Sequence, residues 1–207
     1  MSQLPRRQLF FSSFATALLF VTACSTLLVE QTVRNGRNAL KMGQPDNAIN
    51  YFSLAAESAP DYKTSHLLSE SVWTYLGRAY YEKGRYQESR TALDKSLAKD
   101  NNDFVARLYL GMGLVRSSDR ERGLAEMKTA LNEMHQWLEN VTSESSEGAY
   151  WDPNRQLRKT IETSLGERST AIELVVMSQR IGKQLEEEID RAEKDKIQSS
   201  YDTGSKN

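Results

Sequence analysis

The sequence predicts an all-α protein built from repeated helical hairpins. Two observations carry this: one stretch reads as a complete helix–turn–helix unit, and the segments on either side repeat its spacing. A third agrees with them, since no segment reads as a strand. The unit runs from Trp73 to Leu97. Trp73, Leu76, Tyr80 and Tyr81 fall at i, i+3, i+7 and i+8, the pattern of one amphipathic helix face. Lys83-Gly84-Arg85 then stops the helix, because glycine is favoured where a helix must end. A second face follows at Tyr86, Ser89, Leu93, Ser96 and Leu97. Gly77, Ser89 and Ser96 are small where two antiparallel helices must approach closely.

The repetition is in register. A shift of 34 residues carries Leu76-Gly77 to Leu110-Gly111, Ser89 to Gly123 and Ser96-Leu97 to Ala130-Leu131. A backward shift of 41 carries Gly77 to Gly36, Gly84 to Gly43, Ser89 to Ala48 and Ser96 to Ala55. The seven extra residues lie between Pro60 and Glu70, about two helical turns, so they can lengthen the following helix backward without rotating its face. Trp73, Leu76, Gly77 and Tyr80 stand at the Trp-x-x-Leu-Gly-x-x-Tyr spacing, and the unit resembles a tetratricopeptide repeat, whose period is about 34 residues. The resemblance implies three helix pairs at 29–62, 70–103 and 104–137, wound in a right-handed superhelix.

Residues 1–23 read as a segment outside the fold. Arg6 and Arg7 are followed by an uncharged apolar run from Leu9 to Val21, shorter than the roughly 20 residues that span a bilayer. The run ends in Val21-Thr22-Ala23-Cys24, which resembles a lipobox, the bacterial site where a cysteine is acylated after signal cleavage. Cys24 is the one cysteine in the chain, so no internal disulfide forms. By the sorting rule attached to that resemblance, Ser25 directs the product to the outer membrane, facing the periplasm. Cleavage removes Arg6 and Arg7 and leaves 25 basic against 28 acidic residues, a charge of −3. No basic block points to nucleic acid or to an anionic lipid surface.

Asp103 is placed to cap the helix that begins at Phe104. The third unit turns at Ser117-Ser118-Asp119, and its second helix overruns past His135 and Trp137. Residues 138–149 are polar and small and read as an exposed loop. Asp152-Pro153 reads as a helix start, with aspartate as N-cap and proline at the first helical position. Two C-terminal helices over 150–197 cap the array, as open-ended repeats require. The longer one carries Ile172, Val175, Ile181, Leu185, Ile189 and Ala192 on one side and Glu186, Glu187, Asp190 and Glu193 on the other, which reads as a solvated face. Residues 198–207 read as a disordered tail.

Chemistry is sparsely supplied. The two histidines, His66 and His135, lie far apart and read as surface or helix-end residues rather than ligands, and no phosphate-binding glycine loop is present. No catalytic set, metal site or cofactor is expected. The resemblance instead implies a concave groove lined by first helices, at Val33, Arg37, Leu40 and Lys41, at Thr74, Arg78, Tyr81 and Glu82, and at Leu108, Met112, Val115 and Arg116. Arg37, Lys41, Arg78, Tyr81, Met112 and Arg116 are the expected contacts for an extended or helical peptide with acidic groups, Tyr81 being the expected hot spot. Trp137, Tyr150 and Trp151 form an aromatic cluster that either anchors the C-terminal helices or contacts a cell-wall glycan. The expected role is a non-catalytic, lipid-anchored adaptor for an envelope protein, with the long last helix offering a surface for self-association.

Cys24→Ala should leave the chain as an unprocessed precursor without fatty acid, as seen by mass spectrometry of the membrane fraction. Acyl chains bind at about 0.8 kcal/mol per buried methylene, which a near-neutral protein surface does not replace. A variant still cut at the usual place and still acylated would refute the lipobox.

Overall fold

The computed structural model describes residues 27–117, 119–144, 147–166 and 169–204. Residues 1–23 and Cys24 lie outside them. Among the described residues eight α-helices follow one another: α1 (27–41), α2 (Pro45–Ser58), α3 (Val72–Glu82), α4 (Tyr86–Lys99), α5 (Phe104–Arg116), α6 (Arg120–Glu144), α7 (Gln156–Gly166) and α8 (Ala171–Gly204). A short 3₁₀ turn, Glu147–Tyr150, joins α6 to α7. Among the described residues no helix is long and apolar enough to cross a membrane.

The first six helices form three antiparallel pairs. Gly43 and Gly84, at φ of 68° and 78°, close the first two turns in the left-handed conformation that favours glycine. In each, the residue after glycine donates to the helix: Gln44 N to Ala39 O and Arg85 N to Tyr80 O, both 2.9 Å. The third turn manages without glycine, Asp119 N donating to Leu114 O at 2.9 Å. Asp103 caps α5 as its sequence position predicts, its carboxylate accepting from Ala106 N at 2.8 Å.

The repeated small residues sit at the helix crossings. A β-carbon on Gly77 would lie 2.5 Å from Leu93, and one on Gly36 would lie 2.5 Å from Phe52. On Gly111 it would meet the backbone of Gly123 and Met127 at 2.8 Å. Gly113 meets nothing within 4 Å.

Four local expectations are corrected. The seven-residue insertion does not lengthen α3, which starts at Val72 with Ser71 as its N-cap. Residues 60–71 instead fold as a loop closed by an isolated antiparallel bridge between Lys63 and Ser71. Residues 138–144 are helix, not loop, because the buried face of α6 runs on through Met127, Leu131, Met134 and Leu138 at helical spacing. Asp152 is not the residue next to α7: it stands in a turn at φ 41°, and its carboxylate reaches forward to Leu157 N and Arg158 N at 2.9 and 3.1 Å. The segment read as a tail continues α8 to Gly204.

The apolar interior is divided. An N-terminal core joins α1 to α4 through Val33, Phe52, Val72, Tyr75 and Leu76. A C-terminal core gathers α5, α6 and α7 with Leu174, Val175, Ile181, Leu185 and Ile189 of α8. The apolar stripe of α8 packs on the second core from Leu174 to Ala192, with Gly182 against the Tyr109 ring; Ile172, expected on the same side, is exposed.

Gly111→Leu should overpack the α5–α6 crossing and cost about 1–3 kcal/mol. Gly113→Ala should be neutral or stabilise its helix by roughly 0.5–1 kcal/mol. Urea denaturation of the two variants checks this, and equal losses would contradict the crossing assigned here.

Candidate functional site

The chain's own last helix lies across the first-helix residues where a groove was expected. Arg37 on α1 and Arg78 on α3 converge, as their equivalent repeat positions require, on one residue of α8, Glu186. Arg37 donates to Glu186 Oε2 through Nε and Nη2 at 3.3 and 3.0 Å, and Arg78 Nη1 donates to Oε1 at 2.5 Å. Asp190, one turn on, accepts from Arg37 at 3.0 Å and from Lys41 at 2.7 Å. Glu193 pairs with His66, and His66 Nε2 lies 3.3 Å from Arg37 Nη1. The acidic side of α8 is therefore only partly solvated: Glu187 is exposed and Asp190 and Glu193 are half-buried, but Glu186 is 8 % exposed and is paired on both oxygens.

The insertion loop supplies the other acid. Thr64 and Glu70 pin the loop to itself, Thr64 N donating to Glu70 O and Glu70 N to Thr64 Oγ1 at 2.9 and 3.0 Å. Trp73 Nε1 holds the loop's start by donating to Pro60 O at 2.8 Å. This places the Glu70 carboxylate within 3.2 Å of Arg78 Nη1. The Arg78 guanidinium lies between the rings of Tyr75 and Tyr109, at 5.4 and 5.2 Å from their centroids. That arrangement is a buried cation between two π faces.

Two carboxylates and two guanidiniums share this dry volume, and the acids separate in basicity. Burial opposes the charge on Glu186, but the charges of Arg78 and Arg37 and their hydrogen bonds outweigh it, holding the carboxyl down at about 2. For Glu70 burial dominates; Arg78 offsets part of it, the Glu186 anion adds to the rise, and the carboxyl is pushed up to about 7. Burial opposes the charge on Arg37, but neighbouring Tyr75, Glu186 and Asp190 more than restore it, so the guanidinium stays protonated.

The ion cluster partitions what remains of the groove. On one side is a cleft of about 580 Å³ between α1, the insertion loop, the 147–151 segment and α8. Val33, Asn38, Tyr62, Leu67 and Ile197 line it, with Arg37, Lys41, Tyr150 and Trp151. On the other side a hollow of about 410 Å³ is bounded by Leu40, Tyr75, Arg78, Tyr109 and Lys183. Two expectations thus meet in one place: the unit-one groove residues Arg37 and Lys41, and the aromatic residues Tyr150 and Trp151.

The other expected residues are elsewhere. Tyr81 is no exposed hot spot; it is buried, edge-on to Tyr109 at 5.5 Å and tilted against Tyr86 at 5.6 Å. Met112 is fully buried, and Arg116 is exposed outside both hollows. Trp137 stands behind Trp151, edge to face at 4.9 Å, and also contacts Phe104 at 5.8 Å. The Tyr150 carbonyl accepts from Arg191 at 2.7 Å, tying the 147–151 segment to α8. The rings therefore pack the third repeat onto the C-terminal helices.

His135 does meet acids: with Glu139 and Glu162 it makes the one group among the described residues at metal-ligand spacing. Arg155 already lies 2.6 Å from Glu139 and 3.8 Å from Glu162, and Arg158 lies 3.5 Å from Glu139. Those positive charges oppose a cation there.

Comparison with protein families agrees with the geometry. Residues 71–103 and 36–62 each match a tetratricopeptide repeat model. The solenoid is tetratricopeptide-like. The third helix pair lies outside the matched stretches, although its glycines keep the same crossing. No curated protein matched the chain. Repeats of this kind generally bind protein partners and generally carry no catalysis, which points to a protein-interaction scaffold.

Glu186, Asp190, Glu193, His66 and Glu70 were not legible as groove residues. A weak signal was present: Gly182, Glu186, Ile189 and Glu193 follow one another at i, i+4, i+7 and i+11, so Glu186 borders the apolar stripe.

The two acids give stability opposite pH dependences. The Glu186 contribution is complete above the ordinary carboxyl range near 4.5 and is lost as pH falls toward about 2. That of Glu70 is complete below about 4.5 and is lost as pH rises through about 7. Glu70→Gln should therefore remove on the order of 1–3 kcal/mol of the loss in unfolding free energy between pH 5 and pH 8. Urea titrations of both proteins at the two pH values test this, and parallel pH dependences would contradict it.

Proposed function

We propose that the chain is a lipid-anchored, periplasm-facing scaffold of the bacterial envelope that holds a segment of another protein in the open part of its groove. The observation that supports this is the convergence of Arg37 and Lys41 with Tyr150 and Trp151 on the cleft of about 580 Å³. A tetratricopeptide groove presents first-helix side chains to a peptide. Here α8 occupies that role beside α3 and α5, and unit one keeps the exposed remainder.

The cleft offers a partner both apolar and polar contact. Val33, Tyr62, Leu67 and Ile197 supply surface for apolar side chains, and Asn38, Lys41 and Thr64 supply hydrogen-bonding groups at its walls. Its charges are largely paired within the protein: Arg34 with Glu30, Lys41 with Asp190, and Lys196 with Glu147. Affinity then comes mainly from apolar anchors, since exposed ion pairs contribute only about 0–1 kcal/mol. The lipobox-like Val21-Thr22-Ala23-Cys24 and the Ser25 that follows it support a place at the outer membrane.

A photo-crosslinking amino acid at Asn38, in intact cells, should give a discrete covalent adduct with one polypeptide. The same group at Asn132, exposed on the outer side of α6, should give none. Leu67→Glu, at a partly exposed rim residue, should reduce the Asn38 adduct at least about tenfold, the equivalent of ~1.4 kcal/mol, with an unchanged melting temperature. No adduct from Asn38, or equal adducts from both positions, would exclude the cleft.

A further inference from the structure

The two ends of the solenoid are finished differently. At the C-terminal end α7 and α8 cover the third helix pair and complete its core. At the other end lies the face made by the start of α1 and the end of α2. Leu27, Leu28 and Leu54 stand there 66, 69 and 55 % exposed. Between the two helices is a hollow of about 360 Å³ lined by Leu28, Val29, Leu54, Ala55, Ala59 and Tyr62, with Thr32 and Ser58 as its polar members. Leu54 is remote in sequence from Leu27 and Leu28; the antiparallel pairing of α1 with α2 brings them to one end. Terminal repeats of a soluble array carry a polar outer face. This end instead exposes three leucines around a mostly apolar hollow.

The position of Cys24 says what covers it. Leu27 is three positions beyond Cys24, and three residues of chain span at most about 10 Å. An acylated Cys24 therefore holds Leu27 and Leu28 at the bilayer surface whatever the backbone does between them. We propose that this face is a membrane seat: Leu27, Leu28 and Leu54 rest in the headgroup region of the bilayer that receives the acyl chains. The inference rests on the lipid-anchor reading given above.

Most of the charge around the seat is paired, Glu57 in the last turn of α2 being exposed. Arg34 pairs with Glu30 at 2.9 Å, and Asp61, just beyond α2, pairs with Lys99. With those charges mutually paired, apolar contact is the attraction, and apolar helix faces of this kind sink about 5–10 Å into the interface. The seat also sets the orientation of the site. Asn38 is eleven residues along α1 from Leu27, about 16 Å at the helical rise, so the Asn38–Lys41 end of the cleft points away from the seat, while Glu30 and Tyr62 form its near end.

The test places a dansyl amino acid at Leu54 of the full chain or, as control, at Asn132, and reconstitutes the extracted protein in phosphatidylethanolamine–phosphatidylglycerol vesicles. Intact mass reports acylation separately. The Leu54 probe should shift to the blue, be quenched by spin-labelled lipid, and be quenched by aqueous iodide several-fold less than the Asn132 probe. Omitting phosphatidylglycerol should change neither reading. An acylated protein whose Leu54 probe is as open to iodide as the control overturns the seat and leaves the anchor standing. A protein without acyl mass whose Leu54 probe is still lipid-protected supports the seat and overturns the anchor. Failure of both readouts overturns both.

Discussion

The arrangement depends on one buried carboxylate. Glu186 reaches from α8 to both α1 and α3, pairing with Arg37 and Arg78, and neither apolar core includes it. A buried ion pair is costly to desolvate and adds little net stability over a well-packed apolar contact. Its geometric demand is strict, though: an unpaired arginine left in that volume costs several kcal/mol. What Glu186 contributes is therefore position. Were α8 displaced sideways or rotated, Arg37 and Arg78 would lose their counter-charge together, so the helix has one seating along the groove.

The other features of the groove follow from that seating. The insertion of unit two, which lengthens no helix, delivers Glu70 and His66 to the same cations from the opposite side. Arg78 then stands between two carboxylates and two tyrosine rings, and burial, together with the nearby Glu186 anion, pushes the Glu70 carboxyl up to about 7. Because α8 takes the middle of the groove and the insertion takes one rim, the surface left for another molecule is the part beside α1. The scaffold thus differs from an open repeat array, whose first helices all face the ligand.

The solenoid was legible because its signals are local. Gly77 and Gly111 repeat at a fixed interval, since only a residue without a β-carbon fits those crossings, and the stop at Gly84 is a single residue's backbone preference. The acidic side of α8 was not legible. A glutamate beside an apolar stripe has the same helical phase whether it meets water or an arginine 149 residues away, as Glu186 does with Arg37. The insertion was misjudged for a related reason: seven residues fit two turns of helix as well as a pinned loop, and the decision lay in the pairing of Thr64 with Glu70. Asp152 was recognised as a cap, but its reach over a turn at positive φ has no counterpart in residue order.

The division into two cores has a kinetic side. Contacts of the N-terminal core lie between residues 29 and 92, so it can form while the rest of the chain is still disordered. The ion cluster closes only when residue 186 arrives, making the docking of α8 a late event with a long loop to close, a step that limits rate more than stability. The same ordering run backward makes the detachment of α8 from α1 and α3 a local opening that leaves the first core intact.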